Sequence, residues 1–250
     1  MEKKSILPAV WDVPQNFRDR LGRQAGKQRT MSAEDHLLIV LHRPPKPEDD
    51  ERAGRFFWRK PDGTWMSSEL GGGPNALKKH LDEYAALIDT LEEQDDAAKN
   101  AQDYFSVLNE LVPLHRAARN MHQALQQARE LVPEDAEIIN FRDRSYRIER
   151  TAELLYTDTK NLLEFDIAKR AEEQAVASHQ MAVSAHRLNV LVAFFFPIAT
   201  LSAVFGMNLL HGYEDFPPPI PFLVVMLVGL VLGFVLKSFI TNDAHQKRNS

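Results

Sequence analysis

The sequence predicts an α-helical membrane protein with a small α/β portion at its N-terminus, two C-terminal transmembrane helices and a very long stalk helix running into the first of them. Three observations carry this. Leu188 to Leu210 contains no charged residue, and Pro221 to Leu236 is a second apolar run ending at Lys237. Between Asn75 and Phe205 there is no glycine, and only Pro113, Pro133 and Pro197 interrupt the chain. The first 73 residues, by contrast, are rich in Pro and Gly and hold all three tryptophans.

About 20 residues cross a hydrocarbon core of roughly 30 Å. The first run meets that length, and the second does so if Lys237 snorkels and Ser238, Phe239 and Ile240 continue the helix. A core helix of a soluble protein is rarely apolar all round for so long. With 26% charged residues overall, the greasy tail is a local feature. The chain has no cysteine, which removes disulfides and thiolate metal sites. Met1 to Pro8 lacks the apolar core of a secretory signal, so none is expected there. A net charge of −5 without a basic stripe argues against nucleic acid as a partner.

In chain order, residues 1–73 read as the small α/β portion. Leu37 to Leu41 is a short apolar run before Pro44-Pro45, the pattern of a buried strand. Arg55 to Arg59 and Thr64 to Met66 flank Pro61-Asp62-Gly63, a hairpin signal. About three strands are expected in all. His36 and His42 read as scattered surface histidines. Residues 74–187 read as a helical bundle and stalk: one helix capped by Asn75, with Leu77, Leu81, Tyr84, Leu87, Ile88 and Leu91 on one face, and a second from Ala97 to Leu131 with a kink or break near Pro113. The third runs from about Glu134 into the membrane. In it Ile148, Leu155 and Leu162 repeat at seven, as do Ala152, Thr159 and Asp166. From Ala171 to Ala185 small residues replace large apolar ones, which suits close helix approach around an axis. Residues 188–240 form the transmembrane part, with spans at 188–208 and 221–240 and a loop at 209–220. Residues 241–250 are a tail. Lys and Arg flank the spans at Arg187, Lys237, Lys247 and Arg248 but are absent from the loop. The positive-inside rule therefore places both termini in the cytoplasm and the loop outside, in a cell (inner or plasma) membrane.

The first span closes on Phe205-Gly206-Met207-Asn208, with Pro197 upstream in Phe196-Pro197-Ile198. Gly-Met-Asn at the end of the first of two C-terminal spans, before a short acidic loop, resembles the CorA magnesium channels and their ZntB-like relatives. Arg187-Leu188-Asn189 is similar to the family's Arg-Met-Asn approach to the membrane, about two turns nearer the proline. The resemblance covers about the last 65 residues and is architectural before them. It implies a homo-oligomer of five copies in lipid, a divalent cation as cargo (Mg²⁺ ahead of Zn²⁺, Co²⁺ or Ni²⁺), no resident cofactor and no enzymatic activity.

The family's pore-facing spacing, counted back from Asn208, gives Ala203, Ala199, Phe196, Val192 and Leu188 as pore-lining candidates. Gly206, Met207 and Asn208 are the candidate filter, and Glu214 with Asp215 a candidate acidic collar. Mg²⁺ sheds its water reluctantly, so a ring of neutral oxygens, Asn208 among them, suits the hydrated ion. Pro197 frees the carbonyl of Ala193. Gly229 and Gly233, four apart in the second span, suit close contact with the first. An acidic tract from Asp82 to Glu110 (Asp82, Glu83, Asp89, Glu92, Glu93, Asp95, Asp96, Asp103, Glu110) reads either as a solvated face or as an inter-subunit metal sensor. The rival function is a membrane-anchored helical scaffold that does not conduct, favoured by the aromatic, non-polar pore face. No catalytic constellation is present.

Overall fold

Continuous apolar runs in the first 70 positions build a sheet that buries both faces. The structure, a computed structural model, describes residues 6–46, 52–206, 216–217 and 219–246, with side chains through Ser238. It divides into two compact units, residues 1–169 and 170–250.

In the first unit a short helix, α1 (Gln15–Arg20), precedes an antiparallel sheet of β1 (Arg29–Ala33), β2 (His36–His42), β3 (Gly54–Arg59) and β4 (Trp65–Ser67), in that spatial order. The sheet thus has four strands rather than the three expected. The additional one is β1, joined to β2 by Glu34-Asp35 with φ of 52° and 57°. Both turn residues are left-handed, as a tight two-residue hairpin demands, although neither is the usual Gly or Asn. Gly63, at φ 83°, makes the β3–β4 turn.

Side chains alternate across the strands. Leu37, Ile39, Leu41 and Phe57 face the helices, in a core shared with Leu77, Leu81 and Leu111. Leu38, Val40, Phe56 and Trp58 face the N-terminal segment, where Leu7, Trp11, Phe17 and Leu21 cover them. The unit is therefore layered as N-terminal segment, sheet and helices.

The helices are α2 (Asn75–Ala97), α3 (Ala101–Leu131) and α4 (Ala136–Phe205). Asn75 is the first residue of α2 and not its side-chain cap; Pro74 holds the cap position without a side-chain hydrogen bond. The second helix begins after a break at Ala98–Asn100, and Pro113 lies within a continuous α3. Asn100 Oδ1 caps α3 by accepting from the amides of Gln102 and Asp103 at 3.0 and 3.2 Å. Asp135 caps α4 in the same way and also accepts from Arg59 Nε at 2.8 Å, which ties the start of the long helix to the sheet.

Burial along α4 follows a heptad: Phe141, Ser145, Ile148, Ala152, Leu155 and Thr159. The next residue of the Ile148–Leu155 series, Leu162, is 42% exposed. Residues 167–185 are exposed without exception. The reason is local: α2 ends and α3 begins near Asp166 of α4, whose carboxylate accepts from the Ala101 amide at 2.8 Å.

Candidate functional site

In the second unit the end of α4 packs against α5 (Ile220–Gln246). Both helices are long and apolar enough to cross a membrane, and their apolar stretches are almost wholly exposed, with 11% of that of α5 buried. Burial this low is unlike a core helix, and neither segment lies near the N-terminus.

Two glycines set the distance between them. A Cβ on Gly229 would lie 3.2 Å from Ile198 Cα, and one on Gly233 would lie 2.5 Å from the Phe194 carbonyl oxygen. Only a residue without a side chain lets the backbones come this near. Phe194 and Phe234 meet edge to face with centroids 5.2 Å apart. The expected pairing of Gly229 and Gly233 with the first apolar segment is therefore present.

Phe194, Pro197, Ile198 and Leu201 form the side of α4 that is less exposed, toward α5. The pore-lining candidates Leu188, Val192, Phe196, Ala199 and Ala203 are all exposed. At about 100° per residue they lie roughly 180° round the helix from the α5 contact. Phe196 is 63% exposed. Pro197 sits inside α4 and is buried. Thr200 Oγ1 donates to the Phe196 carbonyl at 2.7 Å, turning a hydroxyl back onto the helix.

Gly206 continues the helical turn, its amide donating to the Ser202 carbonyl at 2.9 Å. It is not left-handed; what a side chain would meet is that same carbonyl oxygen, 2.8 Å from a Cβ. Met207, Asn208, Glu214 and Asp215 lie outside the described residues. A cavity of about 810 Å³ opens between α4 and α5, lined by Leu201, Phe205, Phe222 and Met226 with Ser202 as a polar group.

The acidic tract divides on inspection. Asp82 pairs with Arg144, Glu83 with Arg55 at 2.7 Å, and Asp103 accepts from Lys99 N and Asn100 Nδ2 at its own helix cap. Asp95 is buried, while Asp89, Glu92, Glu93 and Asp96 are exposed. Among the described residues of this single chain, no group of three or more His, Asp or Glu is placed to hold a metal ion.

A buried polar network between the sheet and α2 had no signal in the sequence. Arg55 on β3 donates to Glu69 at 3.1 Å, to Glu83 at 2.7 Å and to His80 Nδ1 at 2.9 Å. A guanidinium only donates, so His80 carries its proton on Nε2. That nitrogen is buried without a partner, between the rings of Phe57 and Tyr84. Burial first, then the fields of Arg55 and His42, pushes His80 down to about 3. Burial lifts the Glu69 carboxyl, but hydrogen bonds from Arg43 and Arg55 outweigh it and hold the group below the usual carboxylate range. His42, expected at the surface, is buried; its Nε2 meets the Gly26 carbonyl at 2.7 Å. His36 accepts from Trp58 Nε1 at 3.0 Å. The network fastens a sheet to a helix.

Neither a protein-family model nor a curated protein sequence matches the chain. Solved structures do. The full-length CmaX protein aligns over 94% of this chain and 82% of its own, at 14% identity and a TM-score of 0.58. The ZntB cytoplasmic domain from Vibrio parahaemolyticus aligns over 64% of this chain and 80% of its own, at 13% identity and a TM-score of 0.52. The CorA magnesium transporter from Methanocaldococcus jannaschii scores 0.41, too low to bear on the fold. The likeness is one of fold: a small N-terminal sheet, a helical bundle, a very long helix and an apolar C-terminal helix, as the sequence predicts.

Proposed function

We propose that the chain is the subunit of a homo-oligomeric, CorA-like channel for a divalent cation, with Mg²⁺ ahead of Zn²⁺, Co²⁺ and Ni²⁺. Five copies would surround a pore in the lipid bilayer, both termini in the cytoplasm. The observation that carries this reading is the two-sidedness of α4: one side meets α5, and the opposite side, from Leu188 to Ala203, is exposed among the described residues. Helices that turn one face to a partner and the other to nothing are completed by copies of themselves around an axis.

Gly206, Met207 and Asn208 then supply the filter. The Asn208 amide oxygen accepts hydrogen bonds from the ion's water shell, so the ion passes hydrated. Glu214 and Asp215 concentrate cations outside it. Among the described residues the carboxylates of α2 and α3 do not reach metal-binding numbers within one chain, so a metal site there would need a second subunit.

One observation favours the rival reading of a non-conducting scaffold: Phe196, Val192 and Leu188 give the unpartnered face bulky apolar side chains. Flux separates the two. In native mass spectrometry from mild detergent the protein runs as an oligomer, and a monomer there would remove the channel. In liposomes, Asn208→Leu abolishes Mg²⁺ uptake with the oligomer intact, since each lost hydrogen bond to a charged partner costs about 1.5–3 kcal/mol. Glu214→Gln with Asp215→Asn lowers uptake in part, most at low salt. Wild-type liposomes that pass no divalent cation, with the oligomer assembled, would favour the scaffold.

A further inference from the structure

The end of α2 meets α4 around one buried carboxyl. Asp95 is 9% exposed, and its Oδ1 has no hydrogen-bond partner. The neighbouring polar group on α4 is the Thr159 hydroxyl, which is fully buried. A hydroxyl has one proton, and this one goes to the Leu155 carbonyl at 2.8 Å. Toward Asp95 it therefore offers lone pairs. A carboxylate has no use for them, whereas a carboxylic acid can donate to them.

The charges that act on Asp95 carry its own sign: Asp96 on α2 and Asp158 on α4. On the α3 side, Asp103 is engaged by Asn100 and by Lys99 N, and Asp166 of α4 accepts from the Ala101 amide at 2.8 Å. Among the described residues no ion pair reaches Asp95. A carboxylate buried without a donor and beside like charges is the costly form of this group.

We propose that Asp95 is a proton-binding latch between α2 and the long helix. Protonated, it donates to Thr159 Oγ1 and completes a chain through that hydroxyl to the Leu155 carbonyl. Ionised, its proton passes to solvent, the donor is lost, and the carboxylate faces Asp96 and Asp158. Thr159 is the last fully buried residue of α4 in the first unit, so the latch lies at the end of the helix's buried heptad. Burial first, with Asp96 and Asp158 behind it, holds the carboxyl above its ordinary range; a Thr159 proton would pull the other way but is held by Leu155. The sign follows. With the folded pKa above the unfolded one of 3.8, the latch's contribution is complete below that value and is lost as pH rises through the folded pKa.

The test compares wild type with Asp95→Asn, a neutral side chain that keeps a donor, and with Thr159→Val. Each full-length chain is unfolded in detergent at a series of pH values from about 4 upward, followed by tryptophan fluorescence. The unfolding constants of wild type and Asp95→Asn are close at the acid end. They then diverge in favour of Asp95→Asn by up to about tenfold per pH unit until the wild-type carboxyl is ionised. Thr159→Val costs stability at the acid end and less at the alkaline end. In the infrared difference spectrum of wild type minus Asp95→Asn, which cancels the other carboxyls, a protonated-carboxyl band persists above the pH at which exposed carboxyls ionise. A ratio between wild type and Asp95→Asn that stays constant across the range, or the absence of that band at every pH, overturns the proposal.

Discussion

Replacing Gly233 by alanine tests the contact between α4 and α5 directly. The added methyl would lie 2.5 Å from the Phe194 carbonyl oxygen, where ordinary contact begins at 3.4 Å, so the backbones must part by about 0.9 Å. The obstructing atom belongs to a helix backbone and cannot swing aside. Overpacking of this kind costs about 1–3 kcal/mol. The parting also loosens the Phe194–Phe234 edge-to-face pair and the Gly229–Ile198 approach. The helix-propensity gain of Gly→Ala, about 1 kcal/mol in water, offsets little in a bilayer, where the separated helices stay helical. Gly229→Ala is the control: its nearest neighbours, two atoms of Ile198, stand at 3.2 Å and need give only about 0.2 Å to reach ordinary contact. Reversible SDS titration in mixed micelles reads the outcome. Gly233→Ala unfolds at a clearly lower SDS fraction, and Gly229→Ala stays near wild type. Equal midpoints for wild type and Gly233→Ala would refute the reasoning, because then the glycine does not set the spacing.

Two further outcomes concern the first unit, whose unfolding tryptophan fluorescence reports because all three tryptophans lie there. Arg55→Ala strips Glu69, Glu83 and His80 of a shared donor and costs about 3 kcal/mol, the lower end for a broken buried pair because both carboxylates keep some exposure; urea denaturation with an unmoved midpoint would count against the network. His80 is held at about 3 against 6.5 unfolded, so the stability it carries is complete above pH 6.5 and is lost as pH falls toward 3. His80→Gln, which keeps an acceptor for Arg55, should therefore flatten the acid limb of the stability curve, and an unchanged limb would show that other groups govern acid unfolding.

Long-range periodicity was the most legible part of the sequence. The absence of Gly and Pro gave α4 to within a few residues at its start, and the apolar runs gave both C-terminal helices. The strand β1 escaped because only Met31 of its five residues is buried and because its turn, Glu34-Asp35, carries neither Gly nor Asn. Asn75 and Pro113 were over-read: each follows a local rule that packing overrides. The Arg55 network joins residues from three separate stretches, and nothing in the spacing of Arg55, Glu69 and His80 announces that they meet. For the same reason a single tract of acids hides unlike roles. Glu83 binds an arginine from the sheet, Asp95 is buried and Asp96 faces water, and only the fold tells them apart.

The central strand β2, His-Leu-Leu-Ile-Val-Leu-His, is apolar on both faces because both are covered. Slipping it by one residue would exchange one set of aliphatic side chains for another, so oil and water cannot choose its alignment as they do in a half-buried strand. The choice falls to its two ends. His36 accepts from Trp58 on one side; at the other, His42 meets Gly26 through its ring, while its amide is held by Gln28 and its carbonyl by Tyr84. The two histidines act as bookends: a slip of one place would leave polar groups at both ends of the strand without their partners, and that penalty selects a single alignment for a segment whose hydrophobic content would tolerate several.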